Sequence, residues 1–234
     1  MGIAVPARNT TLEPDAYALL PEWVTAHFSR MPGDPESAST GDPSNLRGMF
    51  DDIPRVCLEL SLARVDAIGF GCTAGSFIGG SSYDDKIRGV MGGLVDVPVA
   101  TTAEAVIQAM RHLGMARVVV VSPYSEESNN CLRSFLVEKE LEVVELRRCP
   151  KPEGVPTLAE MDPALVRRAA MHALPAGTDG LFISCTNLPV IRMIGDLERD
   201  LGKPVVSSNQ ALIWYLLRLC GKNLAGREET SLWL

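Results

Sequence analysis

Two of the six cysteines share a setting that the other four lack. Cys72 ends the run Asp66-Ala67-Ile68-Gly69-Phe70-Gly71-Cys72-Thr73, and Cys185 ends Asp179-Gly180-Leu181-Phe182-Ile183-Ser184-Cys185-Thr186; in both, a Cys-Thr pair begins six residues after an aspartate. Each run reads as a buried strand with the cysteine at its carboxyl end. Ligands of open α/β sheets bind outside those ends. A helix that follows such a strand starts with unpaired backbone N–H groups, which favour an anion. A thiol placed there is expected to have a lowered pKa, because the same dipole favours the thiolate. Two such ends facing each other would place a thiol on either side of a cleft. That pair could exchange a proton across a flat carbon. Alternatively, one thiolate could add to carbon while the other thiol manages the proton.

The remaining chemistry-bearing residues have plainer readings. Cys57, Cys131, Cys149 and Cys220 read as small core residues. No CxxC pair occurs, and His27, His112 and His172 follow no ligand spacing, so no metal site is expected. The stretch from Gly71 to Gly80, GCTAGSFIGG, fits neither GxGxxG nor GxxxxGK[ST], which argues against a nucleotide loop. Asn9-Thr10-Thr11 suits a helix cap, and Tyr124 suits a loop anchor.

The elements that must position the cysteines alternate between strand and helix. Strands are expected at 3–5, 65–70, 97–100, 117–121, 141–146, 180–184 and 204–207. Helices are expected at 46–64, with a break near Pro54, and at 102–113, 126–139, 162–174, 188–201 and 209–219. Residues 31–45, rich in Pro, Gly, Ser and Asp, read as a loop. This alternation predicts an α/β fold with parallel sheets covered by helices. The Cys-Thr repeat extends downstream: Pro98-Val99-Ala100-Thr101-Thr102 and Pro204-Val205-Val206-Ser207-Ser208 each open a helix. Ile3–Val5 entering Asn9-Thr10-Thr11 likewise matches Val118–Val121 entering Ser122-Pro123-Tyr124. The chain therefore reads as two similar lobes, each offering a cysteine at a strand end.

Composition excludes several functions. The 234 residues carry a net charge of −7, and no basic stripe suited to nucleic acid occurs. Hydrophobic residues make up 46% and charged residues 22%, which excludes a disordered chain. No apolar run approaches the roughly 20 residues that span a bilayer, and Met1–Pro6 lacks the pattern of a secretory signal. Sparse cysteines point to a reduced, cytoplasmic protein without disulfides.

The two Cys-Thr strand ends, Val5-Pro6-Ala7-Arg8-Asn9-Thr10-Thr11-Leu12-Glu13 and Ser122-Pro123-Tyr124 together resemble the aspartate/glutamate racemase superfamily. Within it, the chain is most similar to the branch holding maleate cis-trans isomerases, arylmalonate decarboxylases and ectoine-utilisation EutA-type proteins. The resemblance implies two pseudo-symmetric lobes with the site between them, no cofactor, and cysteine chemistry on a small carboxylate. It also implies that the C-terminal helix returns to the first lobe, dividing the chain into 1–98 plus 208–234 and 99–207. A homodimer is expected by the same analogy.

The branches differ at the cysteines. Decarboxylases resemble this chain at Cys185 and normally have glycine in place of Cys72. Amino-acid racemases keep both cysteines but carry Cys-Thr-Glu where this chain has Cys185-Thr186-Asn187, so a substrate without an ammonium group fits better. The expected reaction is therefore isomerisation of a maleate-like dicarboxylate. Cys72 adds to carbon and Cys185 supplies the proton. Asn9, Thr73, Ala74 and Tyr124 hold one carboxylate, and Thr186 and Asn187 hold the other. The alternatives are a two-base racemase, an arylmalonate-type decarboxylase, an EutA-type protein and a carboxylate-binding protein without turnover.

Overall fold

A computed structural model describes residues 1–33, 46, 48–222 and 230–233. Among these residues the strands are β1 (Gly2–Pro6), β2 (His27–Met31), β3 (Ile68–Phe70), β4 (Val99–Thr101), β5 (Arg117–Ser122), β6 (Glu142–Arg148), β7 (Gly180–Ile183) and β8 (Val205–Ser207). The helices are α1 (Leu12–Leu19), α2 (Ile53–Leu62), α3 (Thr73–Phe77), α4 (Ser81–Leu94), α5 (Thr102–His112), α6 (Glu126–Glu138), α7 (Pro163–Ala170), α8 (Ile194–Leu201) and α9 (Ser208–Leu219). The strands form two four-stranded sheets in the orders β2-β1-β3-β4 and β6-β5-β7-β8, and every pairing is parallel. Adding four to each strand number of the first sheet gives the second. The duplication read from the Cys-Thr runs is thus a duplication of sheet topology. No helix among the described residues is long and apolar enough to cross a membrane.

Parallel strands need cover on both faces, and the valine run of β5 supplies apolar side chains to both. Val118 and Val120 join Phe182 and Val206 in the large central core shared with the first sheet. Val119 and Val121 point the other way, with Leu181, Ile183 and Val205, into a smaller core closed by Val166 of α7 and Leu197 of α8. Burying each such side chain contributes about 1.5–3 kcal/mol.

The two crossover helices join the lobes. Thr101 ends β4, and its hydroxyl accepts from Glu104 N at 3.1 Å to cap α5; Ser207 ends β8 and accepts from Gln210 N at 3.3 Å to cap α9. Helices α5 and α9 pack against each other, and both touch β4 and β8. Helix α9 also packs on α1 and β3 of the first lobe. The expected division after residue 98 falls just before β4, which pairs with β3 in the first sheet, so the chain leaves that sheet only after Thr101.

Several elements differ from the sequence reading. Helix α2 begins at Ile53 with Pro54 in its first turn, where a missing N–H costs nothing. Helix α8 starts only at Ile194, after a 3-10 turn at Ile191–Met193. Strand β2 carried no signal, because as an edge strand it exposes His27 and Arg30. Helix α4 contains Gly89, Gly92 and Gly93, which mask its pattern. The loop expected at 31–45 lies, from residue 34 onward, outside the described residues.

Candidate active site

The carboxyl ends of β1, β3, β5 and β7 open on one cavity of about 570 Å³ between the lobes. Asn9, Cys72, Thr73, Ala74, Tyr124, Cys185, Thr186 and Asn187 all line it. The two strand ends that carry the cysteines therefore face a single space.

Cys72 is the N-cap of α3 and is 6% exposed. Its Sγ accepts the Gly75 N–H at 3.3 Å. A Cβ on residue 75 would stand only 3.0 Å from that sulfur, so glycine permits the approach. The Cys185 Sγ accepts the Asn187 N–H at 3.4 Å, and the Cys185 N–H donates to Ser208 Oγ at 3.0 Å. Cys185 has φ +139°, a conformation that costs an L-residue about 1–3 kcal/mol and persists only where neighbours enforce it. Tyr124 is buried: its hydroxyl accepts from Ser184 Oγ at 3.2 Å, and its ring meets Phe77 edge-on at 5.7 Å. The Tyr124 carbonyl accepts from Asn129 Nδ2 at 3.2 Å, so this residue anchors its loop as well as facing the cavity.

The expected thiolate is overturned by burial. Desolvation pushes the Cys72 thiol up to about 12; the Gly75 N–H pulls it back, and charge on Cys185 raises it further. Cys185 is pushed up to about 11 by burial, against the Asn187 N–H and the Tyr124 hydroxyl. Burial also drives the Tyr124 phenol well above its usual value, and charge on either sulfur adds to the rise. Helix α3 has only five residues, so its short dipole does not offset the loss of water. The sulfurs feel each other's charge, and the pair resists carrying two negative charges at once.

The polar residues divide into two groups. Thr73 Oγ1 is buried at the cavity and, among the described residues, makes no more than a loose contact with the Tyr124 hydroxyl. The first N–H groups of α3, on Thr73 and Ala74, have no partner within the helix. Asn9 and Thr186, by contrast, are engaged with protein. Asn9 Oδ1 accepts from Thr11 N at 2.9 Å and Leu12 N at 3.0 Å, the expected cap, and its Nδ2 donates to Thr186 Oγ1 at 3.0 Å. Thr186 Oγ1 donates in turn to the Gly71 carbonyl at 3.2 Å. Asn187 Oδ1 accepts from Thr10 N at 3.1 Å.

Residues that sequence reasoning missed include Ser208, legible as the partner of Thr102 in the repeat, and Gly75. Asn209 had no local signal: its Nδ2 donates to Asp15 Oδ2, 194 residues away in sequence, at 2.7 Å. Arg8 and Lys151 line the cavity, no acidic side chain among the described residues does, and Pro32, Leu46, Met49 and Leu158 add an apolar wall. Among the described residues no three His, Cys, Asp or Glu side chains gather in a way that could hold a metal.

Comparison with known proteins agrees with this architecture. A family model described as arylmalonate decarboxylase matches residues 1–233. An arylmalonate decarboxylase from Bordetella bronchiseptica is 32% identical over 157 residues, covering 66% of this chain and 65% of the relative. A maleate isomerase from Geobacillus stearothermophilus is 24% identical over 234 residues, covering 93% of this chain and 90% of the relative. The crystal structure of a maleate isomerase variant from Pseudomonas putida S16 with maleate superimposes with a TM-score of 0.87 at 26% identity, covering 99% of this chain and 96% of the other.

Proposed function

Because the chain belongs to the arylmalonate decarboxylase family and turns two cysteines into one cavity, we propose that it is a cysteine-dependent cis-trans isomerase of a maleate-like dicarboxylate. The observation that carries this reading is the second thiol. A single cysteine suffices to protonate an enediolate, whereas addition followed by proton return needs one sulfur for carbon and one for hydrogen.

The reactive pair holds one proton between its two sulfurs. Cys72, as thiolate, forms a bond to C2 of the substrate. The C2=C3 π pair moves to C3 and into the adjoining carboxylate, and Cys185 gives its proton to C3. Rotation about the resulting single bond exchanges cis for trans. Cys185 then takes the proton back from C3, the double bond reforms, and the C2–S bond breaks to release Cys72 as thiolate. Thr73, Ala74, Tyr124 and Asn187 supply donors for the substrate carboxylates. Preorganised donors of this kind act most strongly where water is excluded. The two unpaired thiols suit a reducing, cytoplasmic setting.

NMR of the protein with maleate in deuterated water tests the reading. The expected result is fumarate formation by the native chain and none by Cys72→Ala. Undiminished turnover by Cys72→Ala would overturn it. The apolar wall of Leu46, Met49 and Leu158 favours a second reading, decarboxylation of a malonate bearing a bulky apolar group. Release of carbon dioxide from an arylmalonate, with maleate untouched, would select that reading.

A further inference from the structure

Thr73 and Thr186 occupy equivalent places in the repeat, yet their hydroxyls have different surroundings. Thr73 Oγ1 faces the cavity and, among the described residues, makes no more than a loose contact with the Tyr124 hydroxyl. Thr186 Oγ1 has its single proton engaged at the Gly71 carbonyl, 3.2 Å away, and accepts the Asn9 Nδ2 donor at 3.0 Å. Gly71 is the residue before Cys72, and Thr186 is the residue after Cys185. One hydroxyl therefore ties the loop of one reactive sulfur to the loop of the other, across the seam between lobes.

The backbone of Thr186 is held as well. Its carbonyl accepts from Asn209 Nδ2 at 3.1 Å, and the same amide nitrogen donates to Asp15 Oδ2 at 2.7 Å, so both amide hydrogens are engaged. All of these side chains are buried. Immediately before Thr186 stands Cys185, with φ +139° and its N–H held by Ser208 Oγ at 3.0 Å. A strained residue keeps its conformation only where both flanks are restrained. Ser208 restrains one flank, and the Asn9–Thr186–Asn209 set restrains the other.

We propose that Thr186 is a positioning residue whose hydroxyl braces the Cys72 and Cys185 loops against each other, and that duplication has left only Thr73 of the two threonines to meet substrate. The kinetic arm of its test rests on the isomerase reading; the labelling arm does not. The brace sets where each sulfur stands relative to substrate carbon, and a displacement near 1 Å costs about a hundredfold in rate.

The test compares Thr186→Val, which keeps the shape and loses the hydroxyl, with Thr186→Ser, which keeps the hydroxyl. Maleate kinetics, thermal melting, and the rates of iodoacetamide labelling at Cys72 and Cys185 by mass spectrometry are measured for each. For Thr186→Val the expected kcat falls at least about tenfold with KM within about threefold, and Cys185 labels about fivefold faster relative to Cys72. Thr186→Ser is expected to restore both quantities to within about threefold of the native chain. A raised KM with kcat preserved would assign the hydroxyl to substrate and overturn the proposal. So would an unchanged labelling ratio, or a serine variant that behaves like the valine one. If Thr186→Val fails to fold, Asn209→Ala, which removes the donor to the Thr186 carbonyl, is read by the same labelling ratio: a rise supports the brace and no change overturns it. Should the native chain leave maleate untouched, the isomerase reading fails and the labelling ratio alone decides the brace.

Discussion

Cys72 and Cys185 face a conflict between access and ionisation. Each sulfur receives one backbone N–H, but burial outweighs that donor and holds both thiols above the ordinary range. In the proposed reaction the working species is the pair that has lost one proton, so its population grows with pH until the first ionisation is passed. The kcat/KM for maleate is therefore expected to rise from about pH 6 to pH 9, approaching tenfold per unit. A flat profile over that range would mean that the thiols are already ionised. Cys185→Ser should keep the fold and lose about 10²–10⁴ in kcat, because a hydroxyl is a poor proton donor in place of a thiol. That these two cysteines hold equivalent strand ends was legible from the duplicated Asp-to-Cys spacing. The direction of their pKa shift was not, since a one-dimensional pattern shows the helix that follows a cysteine but not the water taken from it.

Helices α1 and α9 show what element packing adds. Asp15 of α1 is 7% exposed against α9, and burial raises its carboxyl to about 6, partly offset by the Asn209 donor and by Arg192. Between the usual aspartate value and about 6, the folded chain keeps a proton that the unfolded chain has lost. Stability contributed at this site therefore falls as pH rises through that window. Asp15→Asn keeps an acceptor for Asn209 and removes the buried charge. It is expected to raise stability at pH 7.5 by up to about 3 kcal/mol, with the gain vanishing below about pH 4. Thermal melting across that range checks this, and a loss of stability at pH 7.5 would show that the ionised bond to Asn209 outweighs burial. At this scale the sequence was legible where apolar runs are continuous, as in β5 and β7. It was silent at β2, an edge strand with polar residues outward, and at α4, whose three glycines hide a helix supported by tertiary packing.

The whole molecule presents a dianion with a difficulty, for the chain carries −7 overall. The cavity answers it locally, with Arg8 and Lys151 in its lining, no carboxylate among the described lining residues, and backbone donors at the start of α3. A dicarboxylate binding between the lobes should stabilise the fold by about 2.7 kcal/mol at a hundred times its dissociation constant and slow the labelling of Cys72. Lys151→Glu should weaken that protection severalfold and make it less sensitive to added salt. Protection unaffected by the substitution would place the lysine outside the ligand's field.

Residue order alone determined which atoms are candidates for the reaction and on what scaffold they stand. Strand-ending cysteines and their threonines recur in one dimension, and a duplicated pattern of buried strands folds into matching sheets. Only the tertiary structure decided how those atoms behave. Thr186 meets Gly71 across 115 residues and Asn9 across 177, and contacts between segments so distant in sequence depend on how the two lobes close rather than on any local pattern. The same closure removes water from both sulfurs, and desolvation, unlike residue type, is a property of the assembled interior.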